Sequence, residues 1–267
     1  GEGEVAAVAK EGLKGISGQE VDAAVAAKLA GADAKAKAVL FELVGSRRIA
    51  SAEPAVRAGL SDGNEAVRLA AITAMGQLVE LRDLDLLISR ALAAGAGAET
   101  TAAQRALRSA ALRMSDRDGC SAKLAECLKN APAANQAYVL ELLGKISGAK
   151  ALEIVIATAK SNDAAVKDAA TQVLGKWVNA DAAPALLEIA KSDADAKYQT
   201  RALRGFIRIA RQLQLPEAKR LEMFQTAMEA AKRVEEKQLA LDILTRIPSA
   251  KTLELTVSYL GQPGLKG

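Results

Sequence analysis

The segment Val67-Arg68-Leu69-Ala70-Ala71-Ile72-Thr73-Ala74-Met75-Gly76 decides the fold, because it returns as Val166-Lys167-Asp168-Ala169-Ala170-Thr171-Gln172-Val173-Leu174-Gly175. Both put a small residue four positions after the valine, a small or β-branched one at seven, a large apolar one at eight and glycine at nine. Residues 36–45 and 135–144 fit the same template, and 102–111, 198–207 and 236–245 fit a looser version. The segments end at 45, 76, 111, 144, 175, 207 and 245, a period of 31 to 38 residues. Arg105-Ala106-Leu107-Arg108 also recurs letter for letter as Arg201-Ala202-Leu203-Arg204, three periods later. Self-similarity at a period of this size marks a stacked-repeat architecture.

Between the template segments lies a second helical pattern, as in Leu84, Leu87, Ile88 and Leu92, or Leu152, Val155, Ile156 and Ala159, all at three-to-four spacing. Pro54, Pro184 and Pro216 fall at the first turns of such helices, where a missing N–H costs nothing. Ser61-Asp62-Gly63-Asn64, Ser161-Asn162-Asp163 and Ser192-Asp193 supply turns and N-caps ahead of the template helices. No stretch alternates with period two, so no sheet is expected. Each repeat therefore reads as an antiparallel helix pair that cannot cover its own apolar face, and stacking neighbours bury a continuous core. The expected fold is all-α, a right-handed α-solenoid of about seven helix pairs. It forms a single domain over residues 1–267, with repeats at 19–48, 49–82, 83–115, 117–147, 149–179, 181–212 and 215–247 and a partial repeat at 249–261. A helix over 4–14 precedes the first pair, and one over 249–260 reads as the first member of an eighth. Solenoids need polar caps at their ends, so the chain is expected to be a piece of a longer protein.

Composition narrows the function. Of 267 residues, 59 are alanine, which suits the fourth template position, where a small side chain lets the paired helices approach closely. Half the chain is hydrophobic and its charges nearly balance, 36 basic against 32 acidic, which excludes a disordered chain. No apolar run approaches the roughly 18–20 residues of a helical membrane span. The sequence has no histidine, which removes a His general base, a Ser-His-Asp triad and any His-ligated zinc. Cys120 and Cys127, seven apart on one helix, are about 10 Å from each other, too far to bridge, and read as buried small apolar residues. Adjacent carboxylates such as Asp83 and Asp85, or Glu235 and Glu236, do not face one another on a helix and make no acid/base pair. The glycines fall at helix ends, where C-cap chemistry puts them, and form no phosphate-binding loop. No metal or cofactor site is expected, and no catalytic residue.

The Ser/Asp turn, the Val-Arg pair, the two alanines and the apolar-glycine ending resemble the HEAT repeat family, and most of all the short bacterial type similar to phycobilisome-lyase HEAT-like repeats. The resemblance runs over roughly residues 19–260. It is specific for architecture and unspecific for function, because such repeats serve as scaffolds in unrelated proteins. It implies a ladder between repeats joining the turn aspartate to the base after the valine. Asp62 with Arg68 and Asp163 with Lys167 fit those positions, while Gln199, Gln136 and Ala103 interrupt it. Residues 199–265 also look like part of multidomain HEAT proteins of envelope-rich bacteria, a resemblance that implies an exported or cell-envelope setting.

In this family the second helix of each pair lines the concave face. Those helices carry 19 basic and 11 acidic residues, so the overall +4 divides into about +8 there and −4 elsewhere. Arg201, Arg204, Arg208 and Arg211 lie on one helical stripe, and Arg105 and Arg108 hold the same template positions three repeats earlier. The stripe reads either as an anion-binding surface for an acidic partner or as a solvated face paired to neighbours such as Glu217 and Glu222. Trp177 reads as a partner anchor or as filler between repeats, and Phe41 and Phe206 as core. The leading expectation is a non-enzymatic scaffold that offers a concave, mildly basic face to another protein or domain with an acidic patch. The alternatives are an accessory region of a larger bacterial enzyme and a nucleic-acid-binding protein. The last is disfavoured by a net charge of +4 and by so few aromatic residues for stacking.

Overall fold

The structure, a computed structural model, describes residues 18–93, 95, 97–129 and 131–259, together with Gly12 and Ile16. Most of the helix expected over 4–14 lies outside the described residues. Among the described residues there is no strand, and fifteen α-helices follow one another. They are α1 (Gln19–Lys28), α2 (Ala34–Arg47), α3 (Glu53–Gly59), α4 (Glu65–Leu78), α5 (Asp85–Ala91), α6 (Ala98–Arg113), α7 (Arg117–Leu128) and α8 (Ala133–Ile146). After these come α9 (Ala149–Thr158), α10 (Ala164–Gly175), α11 (Ala183–Ser192), α12 (Ala196–Gln212), α13 (Glu217–Ala230), α14 (Val234–Leu244) and α15 (Ala250–Tyr259). The template segments lie on the even-numbered helices.

The ends of these helices follow from their sequences. Side-chain oxygens of Asp33, Asn64, Asp163 and Asp195 accept backbone N–H bonds at the starts of α2, α4, α10 and α12, filling positions that an α-helix leaves unsatisfied. Pro54 and Pro184 sit in the first turns of α3 and α11. Pro216 is instead the cap residue just before α13. Cys120 is buried and Cys127 only half-buried on α7.

The chain forms two compact units, residues 1–126 and 127–267. Within the first, α1 packs on α2, α3 on α4 and α5 on α6, while α4 lies between α2 and α6. Within the second, α9 packs on α10, α11 on α12 and α13 on α14, and α8, α10, α12 and α14 stack in succession. The fourth template position does what the alanine surplus implied: Ala71, Ala106, Ala170, Ala202 and Ala240 are all buried. Phe41, Phe206 and Trp177 are core residues, and Trp177, at 1% exposure, fills space inside the second unit rather than anchoring a partner.

The template glycines do not cap helices. Gly45, Gly76 and Gly144 lie inside α2, α4 and α8, and Gly175 is the last residue of α10. A methyl group on Gly45 would lie 2.9 Å from the Cα of Ala74, and one on Gly76 would lie 2.7 Å from the Cα of Ala106. On Gly205 it would lie 2.9 Å from the Cα of Gly175. In each case the obstacle is backbone, which cannot step aside. These residues set how closely successive even-numbered helices pack. Gly45, Gly144 and Gly175 meet Ala74, Val173 and Gly205, the seventh positions after 67, 166 and 198. By the same rule Gly76 against Ala106 places the third segment's register three residues earlier than 102–111, close to one helical turn.

Replacing Gly76 by alanine is expected to lower stability by about 1–3 kcal/mol, the usual range for overpacking a tight contact. Gly63, which has open space around its Cα, serves as the control, and Gly63→Ala should move stability by less than about 0.5 kcal/mol. Equal denaturation midpoints for the two variants would mean that the glycine contacts do not set the helix spacing.

A basic cleft between successive second helices

The stripe on α12 is built by spacing alone. Arg201, Arg204, Arg208 and Arg211 follow the helical period, while Ala202, Leu203, Phe206, Ile207, Ile209 and Ala210 turn inward and are buried. Each guanidinium is drawn to a neighbouring repeat. Arg201 Nη1 donates to the Asp168 carboxylate (2.9 Å), the Asp168 carbonyl (3.0 Å) and the Thr171 hydroxyl (2.8 Å) on α10. On the other side, Arg204 Nε donates to Glu236 Oε1 at 2.8 Å on α14, and Arg211 pairs with Asp242 of the same helix.

Arg208 has a different set of partners. Its Nε donates to the Gly175 carbonyl (2.9 Å) and its Nη2 to the Trp177 carbonyl (2.6 Å), so it closes the C-terminal end of α10 from the next repeat. Its third contact is Gln212 Oε1 at 3.4 Å. Among the described residues no carboxylate pairs with it, and burial lowers its pKa from the usual arginine value. The expected partners of the stripe, Glu217 and Glu222, are not those found: Glu222 pairs with Lys219, and the real acceptors are Asp168, Glu236 and Asp242.

Arg201, Arg204 and Arg208 line a cleft of about 610 Å³ between α10 and α12, with Lys176, Lys197 and Arg233 completing its cationic wall. No carboxylate is among its lining residues. Gly175 and Gly205, where α10 and α12 meet at backbone distance, also line the cleft. Arg211 is outside this lining, and Arg105 and Arg108 belong to the other compact unit. The sequence reading did not single out Lys176, Lys197 and Arg233. Lys197 was within reach, four residues before Arg201 on the same stripe; Arg233 enters from the turn ahead of α14, where helical periodicity gives no signal.

The ladder between repeats is present, but it joins other residues than expected. Lys37 pairs with Asp62 at 3.2 Å and Lys167 with Asp193 at 2.8 Å, so each base reaches the turn aspartate of the following repeat. Arg68 pairs with Glu99 at 2.8 Å and donates to the carbonyls of Asp62 and Gly63. Glutamine does not simply interrupt the pattern, since Gln199 donates to the Asp193 carbonyl and accepts from Lys232 at 2.9 Å, while Gln136 donates to the Ala131 carbonyl. Asp163 is an N-cap rather than a ladder member.

The carboxylate that pairs with Lys197 and Arg201 of the wall is Asp168. The Lys197 ammonium first, then Arg201 and Gln172, hold its pKa down at about 2 against the opposing effect of burial. Asp62 is lowered by the Asn64 backbone N–H and by Lys37. In Asp193 burial works upward, but the Lys167 bond and the N–H groups of Asp195 and Ala194 bring its pKa below the ordinary value. Among the described residues no group of three or more His, Cys, Asp or Glu side chains is placed to hold a metal ion, and no helix is long and apolar enough to cross a membrane.

The fold defines a helical repeat protein in which successive second helices stack through small residues and are tied by charged ladders. The family described as HEAT repeats matches residues 121–206, and that described as HEAT repeat matches residues 53–81. No curated protein matches the chain. Among solved structures, a chain from the complex of CpcE and CpcF of phycocyanin lyase from Nostoc sp. PCC7120 is 19% identical, covering 91% of this chain and 96% of that one, with a TM-score of 0.40. Human deoxyhypusine hydroxylase in complex with glycerol is 20% identical, with 89% of each chain covered and a TM-score of 0.38. Neither likeness bears on activity.

Two outcomes follow from the pairing. The depressed pKa values of Asp62, Asp168 and Asp193 contribute stability that is present above the unfolded carboxylate pKa near 4 and lost as pH falls toward 2. Asp168→Asn should therefore flatten the acid limb of a stability–pH curve between about pH 4 and 2; an unchanged limb would remove Asp168 from the account. Glu236 is 2% exposed, so Arg204→Ala leaves a buried carboxylate short of its best partner. That change should cost about 3 kcal/mol. Glu236→Gln in the same chain should recover part of the loss, which a double-mutant cycle measures.

Proposed function

We infer that this chain is a non-enzymatic binding scaffold whose even-numbered helices present a basic face to an acidic segment of another protein or domain. The observation that carries the reading is the cleft between α10 and α12, where Lys176, Lys197, Arg201, Arg204, Arg208 and Arg233 converge with no carboxylate in the lining. The partner contact centres on Arg201, Arg204 and Arg208. Contacts across α10, α12 and α14 hold Arg201 and Arg204 in place before any partner arrives, so less side-chain freedom is lost on binding. Arg201 keeps donors to spend: its Nε and Nη2 donate to no described residue. Guanidinium groups held this way suit carboxylates and other oxyanions, which they meet with paired N–H donors.

The test compares the intact chain with an Arg201→Gln/Arg204→Gln/Arg208→Gln variant in capture from the extract of its own source, at low and high salt. Glutamine is more informative than glutamate here, because a new carboxylate would face Asp168 and Glu236 and destabilise the stack. The expected result is a partner retained by the native chain, released by salt as a screened charge contact requires, and lost by the variant while its melting curve stays cooperative. Retention of the same partner by a folded variant would end the reading.

A further inference from the structure

The cleft between α10 and α12 holds more positive charge than its own carboxylates neutralise. Six cationic side chains line it. Three carboxylates meet them: Asp168 takes Lys197 and Arg201, Glu236 takes Arg204 and Arg233, and Glu235 takes Arg233 again. Three positive charges are left over. Two of them belong to identified groups: Arg208 faces only carbonyl oxygens and Gln212, and the exposed Lys176 ammonium has no partner among the described residues. A half-buried guanidinium whose only neighbours are neutral carries a charge that nothing beside it offsets. A counter-anion entering the cleft offsets it.

We propose that this cleft is a binding site for a phosphate monoester, carried either by a phosphorylated side chain of the partner or by a phosphorylated small molecule. The proposal rests on the reading of this face as a binding surface and names the group it takes. The charge favours this group, because a phosphate monoester brings about −1.5 to −2 in one compact unit with three strong acceptor oxygens. A row of carboxylates would have to spread the same charge along a peptide, and here Asp168 and Glu236 already occupy the carboxylate positions beside Arg201 and Arg204. The size also fits, since about 610 Å³ lies within the roughly 300–1,000 Å³ of small-ligand sites. Single-stranded nucleic acid fits less well: it presents one negative charge per phosphodiester and asks for stacking aromatics, and the neighbouring rings, Trp177 and Tyr198, are buried at 1% and 6% exposure.

The architecture explains why the site is in this pair of repeats. Gly175 and Gly205 bring α10 and α12 into backbone contact and leave a floor without side chains. Tyr198, below the wall, has Lys167 at 4.6 Å, Lys197 at 5.3 Å and Arg201 at 5.8 Å from its ring centre. The face of the ring draws these cations together and so helps to concentrate charge at one edge of the cleft.

The experiment titrates the isotope-labelled chain by NMR at constant ionic strength with four probes: glycerol phosphate, a phosphoserine peptide, the same peptide with serine, and the same peptide with glutamate. Amide shifts are expected at Lys176, from Lys197 to Arg208, and at Arg233. Both phosphorylated probes should bind more tightly as pH rises through about 6, where the second phosphate proton leaves. Tighter binding of the phosphopeptide than of glycerol phosphate assigns the group to a protein partner, and equal binding assigns it to a small molecule. Lys176→Glu, at an exposed position without a partner, should weaken both on the order of tenfold and leave the melting temperature unchanged. Arg208→Gln should weaken them too and also loosen the end of α10. The proposal is overturned if Lys176→Glu binds as the native chain does, if the shifts fall elsewhere, or if neither phosphorylated probe binds. It is equally overturned if the glutamate peptide matches the phosphoserine peptide, a result that would leave the acidic-partner reading standing. Partner capture that survives in the triple-glutamine variant, beside phosphate binding that this variant loses, overturns the partner reading alone.

Discussion

Everything else in this protein depends on how closely successive second helices approach. Gly45 against Ala74, Gly76 against Ala106 and Gly205 against Gly175 are contacts in which one added methyl group would strike backbone. Packed interiors tolerate little change of volume, so these positions hold each helix at one distance from the next. The buried alanines at the fourth template position act in the same way. With the helices this close, a side chain on one repeat can reach the carbonyls and carboxylates of its neighbour. The lysine–aspartate ladder and the arginine contacts of α12 are consequences of that spacing.

The arginines of α12 hold the stack together and also line the proposed binding face. Arg201 and Arg204 hold α12 to α10 and α14 through Asp168 and Glu236, and Arg208 closes the end of α10. A side chain tied in this way is poor evidence for binding when only its pairing is considered. What distinguishes the cleft is the balance of charge, since its bases outnumber the carboxylates that meet them and Arg208 has none. The stack and the cleft use the same residues, so charge reversal at Arg201 or Arg204 acts on stability and on binding together. Lys176, which pairs with no described residue, separates the two.

The stripe on α12 was legible because it obeys the helical period, and the buried alanines because they recur at one template position. Two details differ from what the pattern implies. The template glycines suggested caps, since a glycine near the end of a helix most often is one; they prove to be contact points, which depend on what faces the glycine. The ladder runs between repeats as the resemblance implies, but Asp62 takes Lys37 of the repeat before rather than the side chain of Arg68, which pairs with Glu99. Arg105 and Arg108 match Arg201 and Arg204 letter for letter and belong to the other compact unit.

By itself the sequence determined the helix pairs, their period and which faces are buried, because these follow from local periodicity and side-chain size, properties that a single strand of text carries. It also determined which helix bears a row of arginines. Only the tertiary structure decided what those arginines touch. Whether a guanidinium meets a carboxylate, a carbonyl or open space depends on residues about thirty positions away, brought near by the glycine contacts. Arg233 joins the cleft for the same reason: it is remote in the text and adjacent in space, and charge acts through space.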